Sequence, residues 1–199
     1  MFPSPYIVGI TGSSGSGKTS VAQALQNLFG SGNSLVISED NFHSMASNVN
    51  LQSIDPQDQE ALKEFEIFLK KLKSGQKSSI RCYNFKSKKF CRYKGNTHLT
   101  YPSKKIIIIE GLLIFSHAQI LKLYNSKIFL DTSLETCLSR RLNRYESKYR
   151  DSEKRRWEIV SGQFKRDILP QKEFADQVIK TEDKKPLEIS QVILSKIKT

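Results

Sequence analysis

The sequence has few cysteines, no long apolar run and no recognisable leader. Its three cysteines, Cys82, Cys91 and Cys137, are an odd number without metal-ligand spacing, which favours reduced thiols. No apolar run has the length of a membrane span, and the N-terminus has neither the basic region nor the apolar core of a secretory signal. We therefore expect a cytoplasmic protein that does not enter the membrane.

Acidic residues are also missing from one long stretch, since no Asp or Glu occurs between Ile67 and Ile109. This stretch holds 12 of the 32 lysines and arginines, which equals the net charge of +12, because the other 20 balance the 20 acidic residues. Such a block is typical of proteins that bind nucleic acid or another anionic surface. We prefer a basic face that steers nucleotide phosphates, because no nucleic-acid-binding motif and no row of stacking aromatics accompany the block.

The residues after the first apolar run match the phosphate-binding pattern G-x-x-x-x-G-K-[ST]. Residues 6–10 predict a strand and residues 20–29 a helix, so the motif has the strand–loop–helix context that it requires. Glycines let backbone N–H groups point at phosphate oxygens, Lys18 can reach the β- and γ-phosphates, and the Thr19 hydroxyl can bind Mg²⁺. The predicted nucleoside triphosphate site consists of Gly12, Ser13, Ser14, Gly15, Ser16, Gly17, Lys18 and Thr19.

Apolar runs alternate with amphipathic helical patterns along the chain. Strands are predicted near residues 6–10, 34–38, 106–111, 127–131 and 175–179, with helices between them. This alternation predicts an α/β fold, a doubly wound parallel five-stranded sheet of the P-loop NTPase type. Residues 79–101 predict a β-hairpin insertion, and the densely charged residues 140–156 predict a helical lid. The helix of this region is expected to continue to Leu169 and to end at Pro170.

Three acidic residues follow predicted strands: Asp40, Glu110 and Asp131. Ligands of open α/β sheets bind at the carboxyl ends of the strands, and phosphoryl transfer needs a proton acceptor and neutralisation of charge. Asp40 is our candidate general base, and Glu110 could bind Mg²⁺ directly or through water. A helix-capping or surface role is the alternative for each, and we prefer that alternative for Asp131.

Four arginines follow the last of these acids: Arg140, Arg141, Arg144 and Arg150. Guanidinium groups bind phosphate oxygens in a bidentate manner and spread the negative charge of a transition state. Arg140 and Arg144 are four residues apart and so share a helix face. A solvated charged surface is the alternative for any one of them.

At this point the chain resembles the uridine kinase family of the phosphoribulokinase/uridine kinase superfamily. The matching segments occur in the family's order from about residue 7 to residue 179. They are the phosphate-binding motif, Asp40-Asn41-Phe42, Tyr83-Asn84-Phe85, Glu110-Gly111, Asp131-Thr132 with Arg140-Arg141, and Leu169-Pro170 before Ala175-Asp176. The motif alone is shared by many NTPases, whereas the ordered set is much more selective.

The resemblance implies a single P-loop kinase domain over residues 1–199, a phosphotransferase with an alcohol acceptor. It implies Mg²⁺-dependent transfer from ATP to the 5′-hydroxyl of a pyrimidine ribonucleoside, as in nucleoside salvage, with GTP left open as a donor. In the family, the residue matching Asp40 activates the hydroxyl, and those matching Thr19, Asp40 and Glu110 surround Mg²⁺. The arginines matching Arg140, Arg144 and Arg150 approach the triphosphate. Family members are often oligomeric, which makes a homo-oligomer an expectation here.

On the acceptor side, the resemblance implies that Asp55 holds the ribose hydroxyls and that Tyr83 closes over the base. His43 stands where the family has tyrosine, and Lys88 where it has a hairpin histidine that reads the pyrimidine. Further along, Cys137 replaces an arginine and Arg155-Arg156 replace Gln-Tyr. A lysine donates hydrogen bonds but cannot accept them, so base recognition is expected to differ from the family's.

The sequence therefore predicts a kinase with a substrate-binding set of Asp40, His43, Asp55, Tyr83 and Lys88. One alternative is another small acceptor, such as nicotinamide riboside, pantothenate or a sugar phosphate. A second alternative is a nucleotide-dependent regulatory protein that uses the basic block to contact nucleic acid.

Overall fold

The computed structural model describes residues 4–42, 59–81, 83–84, 89–90, 98–144 and 149–197. The strands are β1 Tyr6–Gly12, β2 Ser34–Ser38, β3 Ser78–Arg81, β4 Tyr83–Asn84, β5 Lys89–Phe90, β6 His98–Tyr101, β7 Ile106–Glu110, β8 Ser126–Asp131 and β9 Gln177–Lys180. The α-helices are α1 Lys18–Phe29, α2 Gln59–Lys73, α3 Ala118–Leu121, α4 Leu134–Leu142, α5 Arg150–Gln163 and α6 Pro186–Lys196. Within these ranges, no helix is both long enough and apolar enough to cross a membrane.

Five strands form a parallel sheet in the order β2-β7-β1-β8-β9, which confirms the predicted α/β architecture. β1 is the central strand, and β7 and β8 pair with it on either side. Because the strands are parallel, their carboxyl ends meet at one edge of the sheet. The phosphate-binding motif, Asp40 and Glu110 therefore lie at the same edge.

Both faces of the sheet are covered, and the isoleucine run of β7 shows why. Successive strand residues point to opposite faces. Ile107 and Ile109 belong to the apolar cluster with Phe65 and Leu69 of α2, whereas Ile106 and Ile108 belong to the cluster formed with α1 and α6. A strand buried on both sides needs an uninterrupted apolar sequence, which this segment supplies.

The region predicted as a hairpin insertion contains two small antiparallel pairs. β3 pairs with β6, and β4 pairs with β5. Ile80 of β3 is buried in the cluster that includes α2, so the base of this region is attached to the main core. The division of the chain into a single domain with this insertion stays a prediction.

The helical region after β8 ends differently from the prediction. Ser133 caps α4, its hydroxyl accepting a hydrogen bond from the backbone N–H of Thr136 at 3.2 Å. The prediction that α5 continues to Leu169 and ends at Pro170 is wrong. α5 ends at Gln163, a π-helical turn follows at Phe164–Ile168, and a 3₁₀ helix runs over Leu169–Phe174. Proline is accepted in the first turn of a helix because its missing N–H has no intrahelical partner there, so Pro170 does not stop the chain's helical course.

Candidate active site

The phosphate-binding loop is shaped by glycines with positive φ. Gly15 has φ of 95° and Gly17 has φ of 99°, and Gly17 is the N-cap of α1. A backbone conformation with positive φ is readily available only to glycine. It brings the loop to the N-terminus of the helix, where unpaired N–H groups favour anions. A β-carbon on Gly15 would also lie 2.6 Å from the carbonyl oxygen of Cys137, so α4 packs directly against the loop.

Lys18 lies across this loop with its side chain buried. Its Nζ donates hydrogen bonds to the carbonyl oxygens of Gly12 and Ser13, both at 3.0 Å. Burial lowers the pKa of Lys18, and the neighbouring carboxylates of Glu110 and Asp40 oppose this shift. The ammonium group is therefore held at a fixed place between the loop and two acids.

Asp40 and Glu110 come together at the carboxyl ends of β2 and β7. Glu110 is buried, and Asp40 lies in a short 3₁₀ turn whose N-cap is Ser38, with the Ser38 hydroxyl 3.3 Å from the Asp40 backbone nitrogen. Burial raises the pKa of Asp40 to about 6, the charge of Glu110 adds to the rise, and Lys18 opposes it. A carboxyl group with such a pKa can exchange a proton near neutral pH, as a general base must.

Glu39 is a buried acid that the sequence reasoning missed. Its Oε2 accepts hydrogen bonds from the backbone N–H groups of Leu112 at 2.6 Å and Leu113 at 3.0 Å, and the residue is 1% exposed. Burial raises the pKa of Glu39 to about 8, although both hydrogen bonds act in the opposite direction. Glu39 therefore attaches the chain after β7 to the turn that carries Asp40. In the sequence, the only sign of this role for Glu39 is its position next to Asp40.

A cleft of about 250 Å³ opens beside the loop. Seven of the residues to which the sequence assigns a role in nucleotide or acceptor chemistry line it: Ser14, Gly15, Gly17, Lys18, Thr19, Asp40 and Arg144. The remainder of its wall comes from α1, the segment after β7, α4, α5 and the π-helical turn: Ser20, Leu112, Arg141, Val160, Gln163 and Ile168.

Arg141 belongs to the predicted arginine cluster, but the site residues predicted from that cluster are Arg140, Arg144 and Arg150. Its guanidinium donates to the hydroxyl of Ser14 and to the carboxylate of Glu153, and it lies 5.7 Å from the centre of the Trp157 ring. In α4, Cys137 and Arg141 are both buried and are four residues apart. Helical periodicity could therefore have placed Arg141 on the inward face.

Arg140 has a different surrounding. It donates to the carbonyl oxygen of Ser16 at 3.2 Å and to that of Thr181 at 3.1 Å, which connects the loop to the segment after β9. It lines a second cavity of about 370 Å³, and Arg144 lines both cavities. Arg150 is exposed at the start of α5 and is not part of either lining.

Most of the residues predicted to contact the acceptor lie outside the described ranges. His43, Asp55 and Lys88 lie outside the described residues, and for Tyr83 only its backbone in β4 is described. In the described ranges, no three His, Cys, Asp or Glu side chains form a metal-binding group. Mg²⁺ in kinases takes one or two carboxylates together with waters and substrate phosphates, so one hydroxyl and two acids, Thr19, Asp40 and Glu110, are a chemically suitable set.

A parallel sheet with a glycine-rich loop between its central strand and α1 defines a P-loop NTPase fold. The chain belongs to the Phosphoribulokinase / Uridine kinase family, whose model matches residues 7–187. It is accordingly a phosphotransferase of the class that acts on a hydroxyl acceptor.

Similar proteins agree with this family. A uridine kinase of Shewanella denitrificans is 30% identical over 190 residues, which cover 87% of this chain and 86% of that protein. Uridine kinase-like protein 3 of Arabidopsis thaliana is also 30% identical over 189 residues, but the chain spans only 39% of its length. Phosphoribulokinase from Rhodobacter spheroides has a similar fold, with a TM-score of 0.58 at 18% identity over 92% of this chain and 74% of that one.

Proposed function

We propose that this kinase transfers the γ-phosphoryl group of ATP to the 5′-hydroxyl of a pyrimidine ribonucleoside in the presence of Mg²⁺. The observation that carries the proposal is that Lys18, Thr19 and Asp40 line one cleft at the carboxyl edge of the sheet. Uridine kinases among the relatives support the acceptor class. The proposal includes a cytoplasmic role in nucleoside salvage.

Each of these side chains has a proposed part in the reaction. The backbone N–H groups of the loop and the Lys18 ammonium hold the β- and γ-phosphates. Asp40 accepts the proton of the attacking hydroxyl, and Arg144 compensates the charge that develops on the transferred group. Asp40 has the raised pKa that suits this work, because at neutral pH it is largely ionised yet still basic enough to take a proton.

Mg²⁺, when bound, would neutralise phosphate charge and orient the γ-phosphoryl group. We propose that the Thr19 hydroxyl and the carboxylates of Asp40 and Glu110 hold it. Glu110 and Asp40 are close enough for the charge of one to raise the pKa of the other, and two adjacent acids of this kind are relieved by a cation.

For the acceptor we propose His43, Asp55, Tyr83 and Lys88 as contacts, and Arg140 and Arg150 as further contacts of the nucleotide. Because Lys88 replaces the family's histidine, the identity of the base is the part of the substrate that the family resemblance defines least. The acceptor test must therefore extend beyond uridine and cytidine.

The experiment is a panel of acceptors incubated with ATP and Mg²⁺ and scored by ADP release above the rate without acceptor. The panel contains uridine, cytidine, adenosine, nicotinamide riboside, pantothenate and a sugar phosphate, and mass spectrometry identifies the product. We expect uridine or cytidine to give the highest kcat/KM and a nucleoside monophosphate as product.

Two controls make the result specific. 5′-Deoxyuridine lacks the attacking hydroxyl and should give only background ADP release, and the Asp40→Asn variant should be nearly inactive with every acceptor. Equal turnover with uridine and 5′-deoxyuridine would refute the assigned hydroxyl. A clear preference for a non-nucleoside acceptor would replace the pyrimidine nucleoside by that substrate.

A further inference from the structure

Arg141 is held from two sides while it lines the cleft. One guanidinium nitrogen donates to the hydroxyl of Ser14 in the phosphate-binding loop, and another donates to the carboxylate of Glu153 in α5. The third nitrogen, Nε, is buried and has no acceptor in the described part of the chain. Arg141 therefore reaches the cleft with its direction fixed and with its Nε–H without an acceptor in the described part of the chain.

Glu153 is an unusual residue for its helix. Charged residues dominate α5, and Asp151, Lys154 and Arg155 around it are exposed, whereas Glu153 is only 4% exposed. Burial of a carboxylate costs free energy unless a cation or hydrogen bonds compensate it, and Arg141 is the cation that compensates Glu153. Trp157, one turn further along α5, lies against the same guanidinium.

We infer that Glu153 is a positioning residue, which holds the Arg141 guanidinium beside Ser14 so that it meets the triphosphate in a fixed direction. The inference rests on the proposed function, because it requires a nucleoside triphosphate in this cleft. Glu153 itself does not line the cleft and so acts through Arg141.

The contacts give this pair a role beyond holding two helices together. An ion pair that only joined α4 to α5 would not need a contact with the loop, yet the same guanidinium also binds Ser14. A guanidinium that is oriented before the ligand arrives loses less conformational freedom on binding, which strengthens each contact that it makes. The loop, α4 and α5 are thus connected through one side chain at the cleft.

A double-mutant cycle tests the inference with ATP·Mg²⁺ as the titrant and no acceptor present. The variants are Glu153→Gln, which keeps the shape but removes the charge, Arg141→Met, and the two combined. We expect Glu153→Gln to raise the Kd for ATP about tenfold, and to have little further effect once Arg141 is absent, because residues of one network are not additive. Glu153→Asp should restore part of the affinity. Glu158→Gln is the matched control, because it makes the same change at an exposed site of α5.

Thermal unfolding of every variant separates positioning from stability. Unchanged ATP affinity in a folded Glu153→Gln protein, or additive effects of the two substitutions, would overturn the inference. If Glu153→Gln does not fold, Glu153→Asp supplies the test, since it keeps the charge and shortens the side chain. Wild-type protein that binds no ATP would end both the inference and the proposed function. ATP binding without turnover of any acceptor would end only the proposed reaction.

Discussion

Gly111 lies so close to Glu39 that a β-carbon at Gly111 would be 2.2 Å from Oε2 of Glu39. Glycine is required at position 111 because the Glu39 side chain occupies the space that a side chain of residue 111 would need. The contact packs the chain directly after Glu110, the last residue of β7, onto the turn after β2 that carries Asp40. The distance between the two carboxylates proposed for Mg²⁺ therefore depends on the buried Glu39 and on the absence of a side chain at Gly111.

We predict that Gly111→Ala destabilises the protein by about 1–3 kcal/mol, because an added methyl group in a filled interior forces its neighbours to move. Kinase activity should fall as well, because a shift of Glu39 would displace the neighbouring Asp40 and Glu110. Urea unfolding and kcat/KM measure the two effects. Gly162→Ala in α5 is the control, because a β-carbon there meets nothing within 4 Å and alanine is a better helix former. Equal stability of the two variants would contradict the packing argument.

The buried acid itself predicts an unusual dependence of stability on pH. The pKa of Glu39 rises from 4.5 to about 8 in the folded protein, so between these values the folded state binds a proton that the unfolded state has released. Stability from this group is therefore fully present below about pH 4.5 and is lost as the pH rises toward about 8. Asp40, with its pKa raised to about 6, acts in the same direction.

Thermal unfolding of wild type and Glu39→Gln between about pH 5 and about pH 8 isolates this contribution. Glutamine cannot titrate, so the Tm of the wild type should fall with rising pH more steeply than that of the variant. The difference between the two curves matters, because the other titrating groups are common to both proteins. Parallel curves would show that Glu39 titrates near its ordinary pKa in the folded protein.

The sequence predicted the sheet well because its strands are local and buried. The run at Ile106–Glu110 could be recognised as a central strand, and the glycine pattern located the loop, since both depend on neighbouring residues. Burial of Glu39 and the choice of Arg141 over Arg140 for the cleft depend on contacts between distant segments. Adjacent arginines on a helix point about 100° apart, so periodicity can separate Arg141 from Arg140, but the packing of α4 against the loop is what brings the inward face to the cleft. Pro170 was misread for a similar reason, because a new helical turn begins just before it.

Removal of the loop lysine is expected to abolish turnover. Lys18→Ala deletes an ammonium group held by Gly12 and Ser13, and loss of one fixed donor to the transferring group costs on the order of 10²–10³-fold in kcat. ADP release with the best acceptor measures the effect. Lys122→Ala removes an exposed lysine at the end of α3 and should leave the rate unchanged. A nearly wild-type rate in Lys18→Ala would refute the role of this lysine.

The final prediction concerns Asp40 as the base. Asp40→Asn keeps the size of the side chain but cannot accept the proton, so kcat should fall by about 10²–10⁴-fold while the Kd for ATP changes little. In the wild type only ionised Asp40 is active, so kcat/KM should rise with pH through about 6 and then level off. The phosphates of ATP titrate in a similar pH range and could also make kcat/KM rise with pH. A rise caused by ATP must still be seen in the residual activity of Asp40→Asn. The rise of kcat/KM near pH 6 that is caused by Asp40 must disappear in that variant. An unchanged pH profile would assign proton transfer to another group.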